Sequence, residues 1–472
     1  MGVIITRLAL DHFRSWDHCV VDLDPGVTII QGANGQGKTN LVEAIEVLST
    51  GSSHRVSSSL PLVERGQDTA TIRVNIADNG DEPRSSAEHH ANPESHSDYM
   101  SAEFHDDNGK LNEKQDSFSV DRSSTQSAQS SPAVTTIEVT IRARGTNRAR
   151  IDGGRSLYLR EILGRVPSMS FTPEDQWLIS GDPAARRGFL DQAGAMLIPG
   201  YADVHQRCTK IAKQRAALLK HLAAAPSGET TGINESSLNG LEIWTGQFIE
   251  AGIELTRMRM RILDALAGPF AAIYDELAGS AQHAAVAYVP SFEEVLASPS
   301  PHQSISQHFQ RIYPGEVARG RNLIGPHRDD MAVTLDGIPA KEFASNGEMW
   351  TMALALKMAL FGLITQTSGT TPIVILDDVF AQLDETRRRQ ILDFAVKQNQ
   401  VLITAAAAGD IPDLSAYGTD ARIIDVAALR RTAARQESDR LLDDDTIARI
   451  KAAREHHTGM QPAADGIDEA SA

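Results

Sequence analysis

Apolar and polar positions divide the chain into a strand-rich start, a helical middle and an end where strands return. Val3–Leu10 and Cys19–Leu23 alternate and are β-rich, the pattern of half-buried strands. Val27–Gln31 follows a Pro-Gly turn and runs into a glycine loop. Asn40–Leu48 then changes period: Leu41, Ala44, Ile45 and Leu48 share one helix face. Thr71–Ala77 and Thr135–Ala143 read as strands flanking a polar segment, and Arg148–Asp152 before Gly153-Gly154 as a strand and turn. In Asp203–Leu222, Val204, Ile211, Leu218, Leu219 and Leu222 predict a long helix; Leu241–Leu266 predicts a second, after a polar break at Pro226–Gly240. Strand signals resume from about 322, at Met331–Leu335 and Ile373–Leu376. Met349–Leu363 is apolar almost all round, so that helix should be buried.

At 472 residues the chain exceeds one ordinary core, so two or more domains are expected. A net charge of −17 argues against nucleic-acid binding only if it is averaged. Residues 78–133 carry 12 acidic and 4 basic side chains, and the tail 436–472 carries 9 and 4, which leaves −4 for everything else. Both segments hold few large apolar residues and are expected to be disordered. The first falls between two strand-like runs, where an insertion in a hairpin connection costs little. Its histidines, His89, His90, His96 and His105, read as solvated side chains rather than a metal site. Two cysteines exclude a disulfide scaffold. No apolar run reaches membrane length and no export signal is visible, so a cytoplasmic location is expected.

Three short segments carry chemistry. Gly32-Ala33-Asn34-Gly35-Gln36-Gly37-Lys38-Thr39 fits the phosphate-loop pattern, with a strand before it and a helix after it. Its glycines let backbone N–H groups turn around phosphate oxygens, Lys38 reaches the β- and γ-phosphates, and Thr39 offers a hydroxyl to Mg²⁺. Ile373–Leu376 reads as a strand buried on both faces, and it ends in Asp377-Asp378, where ligands bind in open parallel sheets. Asp377 would hold Mg²⁺ and Asp378 would orient or deprotonate the attacking water. Asp384 belongs either to a loop reaching a partner subunit or to a helix N-cap. Ser345-Asn346-Gly347-Glu348, before the apolar helix, is either a plain cap or a second anion cradle; a second cradle makes sense if it closes over ATP held by another copy of the chain.

With these in place, the sequence resembles the RecF family of DNA replication and repair proteins, ABC-type ATPases related to SMC heads. The likeness covers most of the chain outside 78–133 and the tail. It rests on Gly32–Ile45 with Gly51-Ser52-Ser53-His54-Arg55, Phe171–Asp175, Arg186–Asp191, Gly325-Pro326-His327-Arg328-Asp329-Asp330, and Leu376–Phe380 with Leu383-Asp384. The resemblance implies an α/β fold: an ABC-type ATPase head of mixed sheet and helices from residues 1–182 and 322–430, with a compact, mainly helical arm at 183–321. It implies ATP on Gly32–Thr39, Mg²⁺ on Thr39 and Asp377, catalysis by Lys38 and Asp378, a signature loop at Ser345, Gly347 and Glu348, and a D-loop at Asp384. Gln176 lies near the Q-loop position, and Arg14 after the first strand becomes a nucleotide contact. The implied cycle is ATP-dependent head-to-tail homodimerisation on DNA, reset by slow, weak DNA-dependent hydrolysis. It would serve recombinase loading at gaps and the SOS response, with RecR and RecO as mediators. Two departures stand out. Val401–Thr404 leads into Ala405-Ala406, so the usual switch histidine is missing and the γ-phosphate sensor is unassigned. The water-directing acid is Asp378 rather than the usual Glu, which suits a timed clamp.

Arm length separates competing readings. Gln176 and Ser345 are 169 residues apart, enough for two antiparallel helices of at most about 100 Å. The heptads of a long coiled coil are absent, which disfavours an SMC-like structural tether. The 307 residues between Lys38 and Ser345 disfavour a transporter's nucleotide-binding subunit. Arg186 and Arg187 begin the arm, and Arg207, Lys210 and Lys213 share a helix face; all five are candidate phosphate contacts for single-stranded, gapped or duplex DNA.

Overall fold

The computed structural model describes residues 2–56, 58–79, 134–224, 235–279, 282–411 and 413–434. The acidic insertion, from residue 80 onward, and the 436–472 tail lie outside the described residues. Strands β1 (Gly2–Phe13), β2 (Trp16–Asp22) and β3 (Gly26–Gln31) lead into helix α1 (Lys38–Thr50). Then come β4 (Thr69–Asn79), β5 (Val134–Arg142), β6 (Arg148–Ile151), β7 (Leu157–Tyr158) and β8 (Ser168–Phe171). The arm contributes α2 (Pro183–Leu197), α3 (Tyr201–Ala223), α4 (Glu235–Ala278), β9 (Ala284–Val289) and α5 (His302–Arg319). The chain returns through β10 (Asp330–Leu335), β11 (Ile338–Pro339), α6 (Asn346–Ser368), β12 (Ile373–Asp377), α7 (Glu385–Ala395), β13 (Gln400–Ala405) and β14 (Arg422–Asp425).

These strands make three sheets. β2-β1-β4-β5-β6-β7 is antiparallel, and Ala77 of β4 pairs with Val134 of β5, so the acidic insertion joins two paired strands. β14-β3-β13-β12-β8 is wholly parallel. Successive side chains of a strand face opposite ways, and here each face of the parallel sheet meets a different core. Ile30, Ile373, Ile375 and Leu402 join α1 and the antiparallel sheet. Ile29, Val374, Leu376, Val401 and Ile403 join α6 and the arm. That two-sided burial explains why β12 reads as an unbroken apolar run. Gln400 staples the sheets: its amide donates to Ile5 O at 2.8 Å and accepts from Ile5 N–H at 2.9 Å.

The third sheet spans the expected domain boundary. Met331–Leu335, grouped with the head, lies in β10 and pairs antiparallel with β9 from the arm, Asp330 opposite Val289 and Leu335 opposite Ala284. The arm has a small cluster of its own at Leu219, Leu222 and Leu241, but its main interior is continuous with the head. One apolar core runs from the parallel sheet through α6 into α2, α3 and α4, because α6 is buried on nearly every side and needs the arm to cover it. α6 is long and apolar enough to cross a membrane by composition alone, but Met352, Leu354, Leu356 and Leu360 are packed inside the protein.

The Gly325–Asp330 motif is the joint between arm and head, with Gly325, Pro326 and Asp329 buried. Asp329 accepts from Ser291 N–H (2.7 Å), Thr256 Oγ1 (3.1 Å) and Tyr288 OH (2.5 Å). Arg259 donates to Pro326 O at 2.8 Å and to Asp191 at 2.7 Å. Farther out, Arg215 and Glu316 form a fully buried pair at 2.6 and 2.9 Å, and Asn322 and Thr245 accept from Nη1 and Nε of the same guanidinium.

Candidate functional site

The phosphate loop joins the carboxyl end of β3 to α1. Gly37 caps α1 in the left-handed region at φ 94°. A Cβ there would lie 2.8 Å from Trp16 Nε1 and 2.9 Å from Ser15 Oγ, so both conformation and space require glycine. Trp16 Nε1 donates to Gly37 O at 3.1 Å, and Arg430 donates to Gln36 O at 2.9 Å while stacking on the Trp16 ring. The loop is thus braced from both ends of the chain. Lys38 is buried, with Nζ 3.2 Å from Asn34 Oδ1.

Thr39 Oγ1 donates to Asp377 Oδ1 at 3.1 Å across 338 residues of sequence. β13 lies between β3 and β12, and its Thr404 hydroxyl donates to Asp377 Oδ1 at 2.6 Å and accepts from Asp378 N–H at 2.9 Å. Burial pushes the Asp377 carboxyl above its ordinary range, and the charge of Asp378 adds to this against the hydroxyl bonds of Thr404 and Thr39. A buried carboxylate beside a second one calls for a countercharge, and an all-oxygen donor set suits a hard divalent cation such as Mg²⁺. Asp378 takes φ 49°, a strained value for a non-glycine residue, which turns it off the strand end. These groups line a cavity of about 400 Å³ with Asn34, His54, Arg55, Glu174 and Asp410.

The other predicted residues fall in several places. Ser345 caps α6 in a reciprocal box with Glu348, whose carboxylate accepts from Ser345 N–H at 2.7 Å; that bond and the Ser345 hydroxyl hold Glu348 below its usual pKa. Gly347 packs under the Arg387 guanidinium, where a Cβ would collide. Asp384 caps α7 by accepting from Arg387 N–H at 2.9 Å, as one of its two readings had it. Gln176 does not line the cavity: its amide reaches Asn346 O and Oδ1 at 3.4 and 3.3 Å, and Glu174 lines the cavity instead. The Arg14 fork, expected on nucleotide, is spent on the buried Glu43 and on Pro61 O.

Two of the five DNA candidates bond within the protein. Arg186 is buried in a bidentate pair with Asp330, at 2.6 and 3.0 Å, and Arg187 donates to Asp329 O at 2.9 Å. Both serve the joint, because carboxylates and carbonyls of the Gly325–Asp330 motif face them. Arg207, Lys210 and Lys213 do share an exposed face of α3, with Arg207 paired to Glu254. They line a cleft of about 910 Å³ against Arg160 and Tyr158 of the antiparallel-sheet side. Arg148 and Arg160 lie over the Tyr158 ring at 4.0 and 4.2 Å, and Arg160 reaches Asp203 of α3 at 2.6 Å.

Among the cavity residues, His54, Arg55, Glu174, Thr404 and Asp410 were not assigned from sequence. His54 and Arg55 stood inside a quoted motif, but only packing brings them to the carboxylates. Burial pulls the His54 imidazole down, yet its hydrogen bond to Glu46 and that carboxylate's charge outweigh it, so the pKa rises.

A phosphate loop after β3 and paired carboxylates at the end of β12, the two strands that flank β13 in one parallel sheet, together with an antiparallel sheet and the capped helix α6, define an ABC-type ATPase head. Residues 4–412 match the RecF/RecN/SMC N terminal domain model. The DNA replication and repair protein RecF of Bifidobacterium longum subsp. infantis is 57% identical over 430 residues, 91% of this chain and 90% of that protein. Its counterpart in Beutenbergia cavernae is 34% identical, over 87% of this chain and 95% of that protein. The chain belongs to the RecF family. A solved structure of the recombination mediator protein RecF-ATP in the RecFOR pathway shares the fold, with a TM-score of 0.66 at 22% identity over 87% of this chain and 94% of that one.

Proposed function

We propose that this chain is an ATP-dependent DNA-binding protein of recombinational repair and replication, in which ATP joins two copies head to tail and slow hydrolysis releases them. The Thr39–Asp377 hydrogen bond carries the reading, since it brings the phosphate-loop hydroxyl and the strand-end carboxylate to one point. Thr39 and Asp377 would hold Mg²⁺ there, and the ion would supply positive charge to offset that of the phosphates. Lys38 and the loop N–H groups hold the phosphate chain, and Asp378, turned by its positive φ, holds the attacking water in line. The signature helix faces outward: Ser345 and Asn346 are exposed, and Phe343 and Trp177 beside them are 73% and 60% exposed. Large apolar side chains around a helix N-terminus suit an interface with a second copy whose ATP completes the pocket. The cleft lined by Arg160, Arg207, Lys210 and Lys213 suits a DNA backbone read without sequence. Recombination mediators such as RecR and RecO are the further partners this reading implies.

Sedimentation of the unsubstituted chain and of Asp378→Asn with Mg-ATP tests it. The substituted chain is expected to persist as a dimer while the unsubstituted chain returns to monomer as ATP is consumed. An Asp378→Asn chain that stays monomeric when saturated with nucleotide would sink the reading.

A further inference from the structure

The rim of the cavity after β13 carries Ala405 and Ala406, which have no polar side chain to offer a γ-phosphate. His54 lines the same cavity, together with Thr39, Asp377 and Asp378. Its placement is fixed twice by one carboxylate: Glu46 Oε1 accepts from the His54 backbone N–H at 3.1 Å, and Glu46 Oε2 meets ring Nδ1 at 2.6 Å. Glu46 is itself buried and projects from α1, the helix that the phosphate loop begins. The ring orientation is therefore set by the same helix that positions the phosphates. With Nδ1 on Glu46, Nε2 is the ring atom left for a ligand. Arg55, also on the cavity, is less free: it donates to Asn40 Oδ1 at 3.1 Å and to Glu43 Oε2 at 3.0 Å.

We propose that His54 is the γ-phosphate sensor of this head, donating from Nε2–H to a γ-phosphate oxygen, with Glu46 as its positioning residue. The inference rests on the ATP reading above and assigns a group which that reading leaves open. An imidazole held between Glu46 and a phosphate oxygen has an anion on each nitrogen, which favours a proton on both. ADP supplies no oxygen at that place, so the contact distinguishes the triphosphate from the diphosphate. His54 also lines a second cavity, of about 1040 Å³, with Lys357 of α6 and Phe189 and Gln192 of α2. A ring drawn toward phosphate thus shifts a wall shared with the signature helix and the arm.

The test compares Mg-ATPγS and Mg-ADP affinities, by calorimetry, for the full chain and for His54→Ala, His54→Asn and Glu46→Gln. His54→Ala is expected to weaken ATPγS by about 10- to 100-fold, the range for a lost hydrogen bond to a charged group, with ADP nearly unchanged. Glu46→Gln, which keeps the ring but loosens it, is expected to lower the ATPγS-to-ADP preference by a smaller factor. A general packing defect would weaken both nucleotides alike. An unchanged preference in a folded His54→Ala chain, or in His54→Asn should the alanine variant fail to fold, overturns the proposal. An unsubstituted chain that binds neither nucleotide would overturn the ATP reading itself, and this inference with it.

Discussion

Asp377 shows how one residue trades stability for chemistry. Burial holds its folded-state pKa above the ordinary 3.8, so the folded chain keeps this proton more tightly than the unfolded chain does. The sign follows: stability is lost as pH rises through the carboxylate range, and at neutral pH the ionised side chain costs the fold free energy. Asp377→Asn removes the charge and can still accept from Thr39 and Thr404. Without Mg²⁺ or nucleotide, its thermal midpoint is expected to rise by a few degrees, as about 1 kcal/mol would give, while Mg²⁺-dependent phosphate release falls to background. A lowered midpoint would mean that the charge is compensated within the protein.

Among the elements, the arm helices α3, α4 and α5 are held together by one buried pair as well as by apolar packing. Arg215 and Glu316 are 1% and 0% exposed, and every guanidinium nitrogen has a partner. Breaking a buried pair from one side leaves the other charge uncompensated, at a cost of about 3–5 kcal/mol. Arg215→Ala should therefore lower the denaturant midpoint strongly, and Arg215→Met with Glu316→Leu should recover much of the loss. The DNA candidates divide by the same logic, with Arg186 and Arg187 on α2 and Arg207, Lys210 and Lys213 on α3. Arg186 reads as basic surface only while Asp330 is out of view; once the joint folds it is buried on that carboxylate, whereas Arg187 stays half-buried with one bond to Asp329 O.

At the scale of the whole molecule, negative charge and DNA binding are compatible because the charge is segregated. The insertion and tail hold −13 of the −17, leaving a nearly balanced head and arm. Lys210→Ala with Lys213→Ala should weaken DNA binding without changing sequence preference and reduce the slope of log affinity against log salt by about 2. Titration of a fluorescent duplex across salt concentrations measures this, and an unchanged slope would place the DNA elsewhere. Coupling between ATP and DNA also belongs to this scale. One core runs from the parallel sheet through α6 into the arm, so under the proposed dimer a displacement of α6 by a second copy's ATP would move the arm with it.

Local chemistry was legible in the sequence. Gly32–Thr39 and Asp377-Asp378 announce themselves because their roles depend on backbone freedom, a strand end and side chains within a few residues. The strands and the long helices were legible for the same reason, since period 2 and period 3.6 are local properties. Tertiary structure alone decided the rest. It sent Arg14 to Glu43 and Arg186 to Asp330, and carried His54 to the carboxylates. The partner of a charged or polar side chain is chosen by what folding brings within about 3 Å, and spacing along the chain carries no record of that choice.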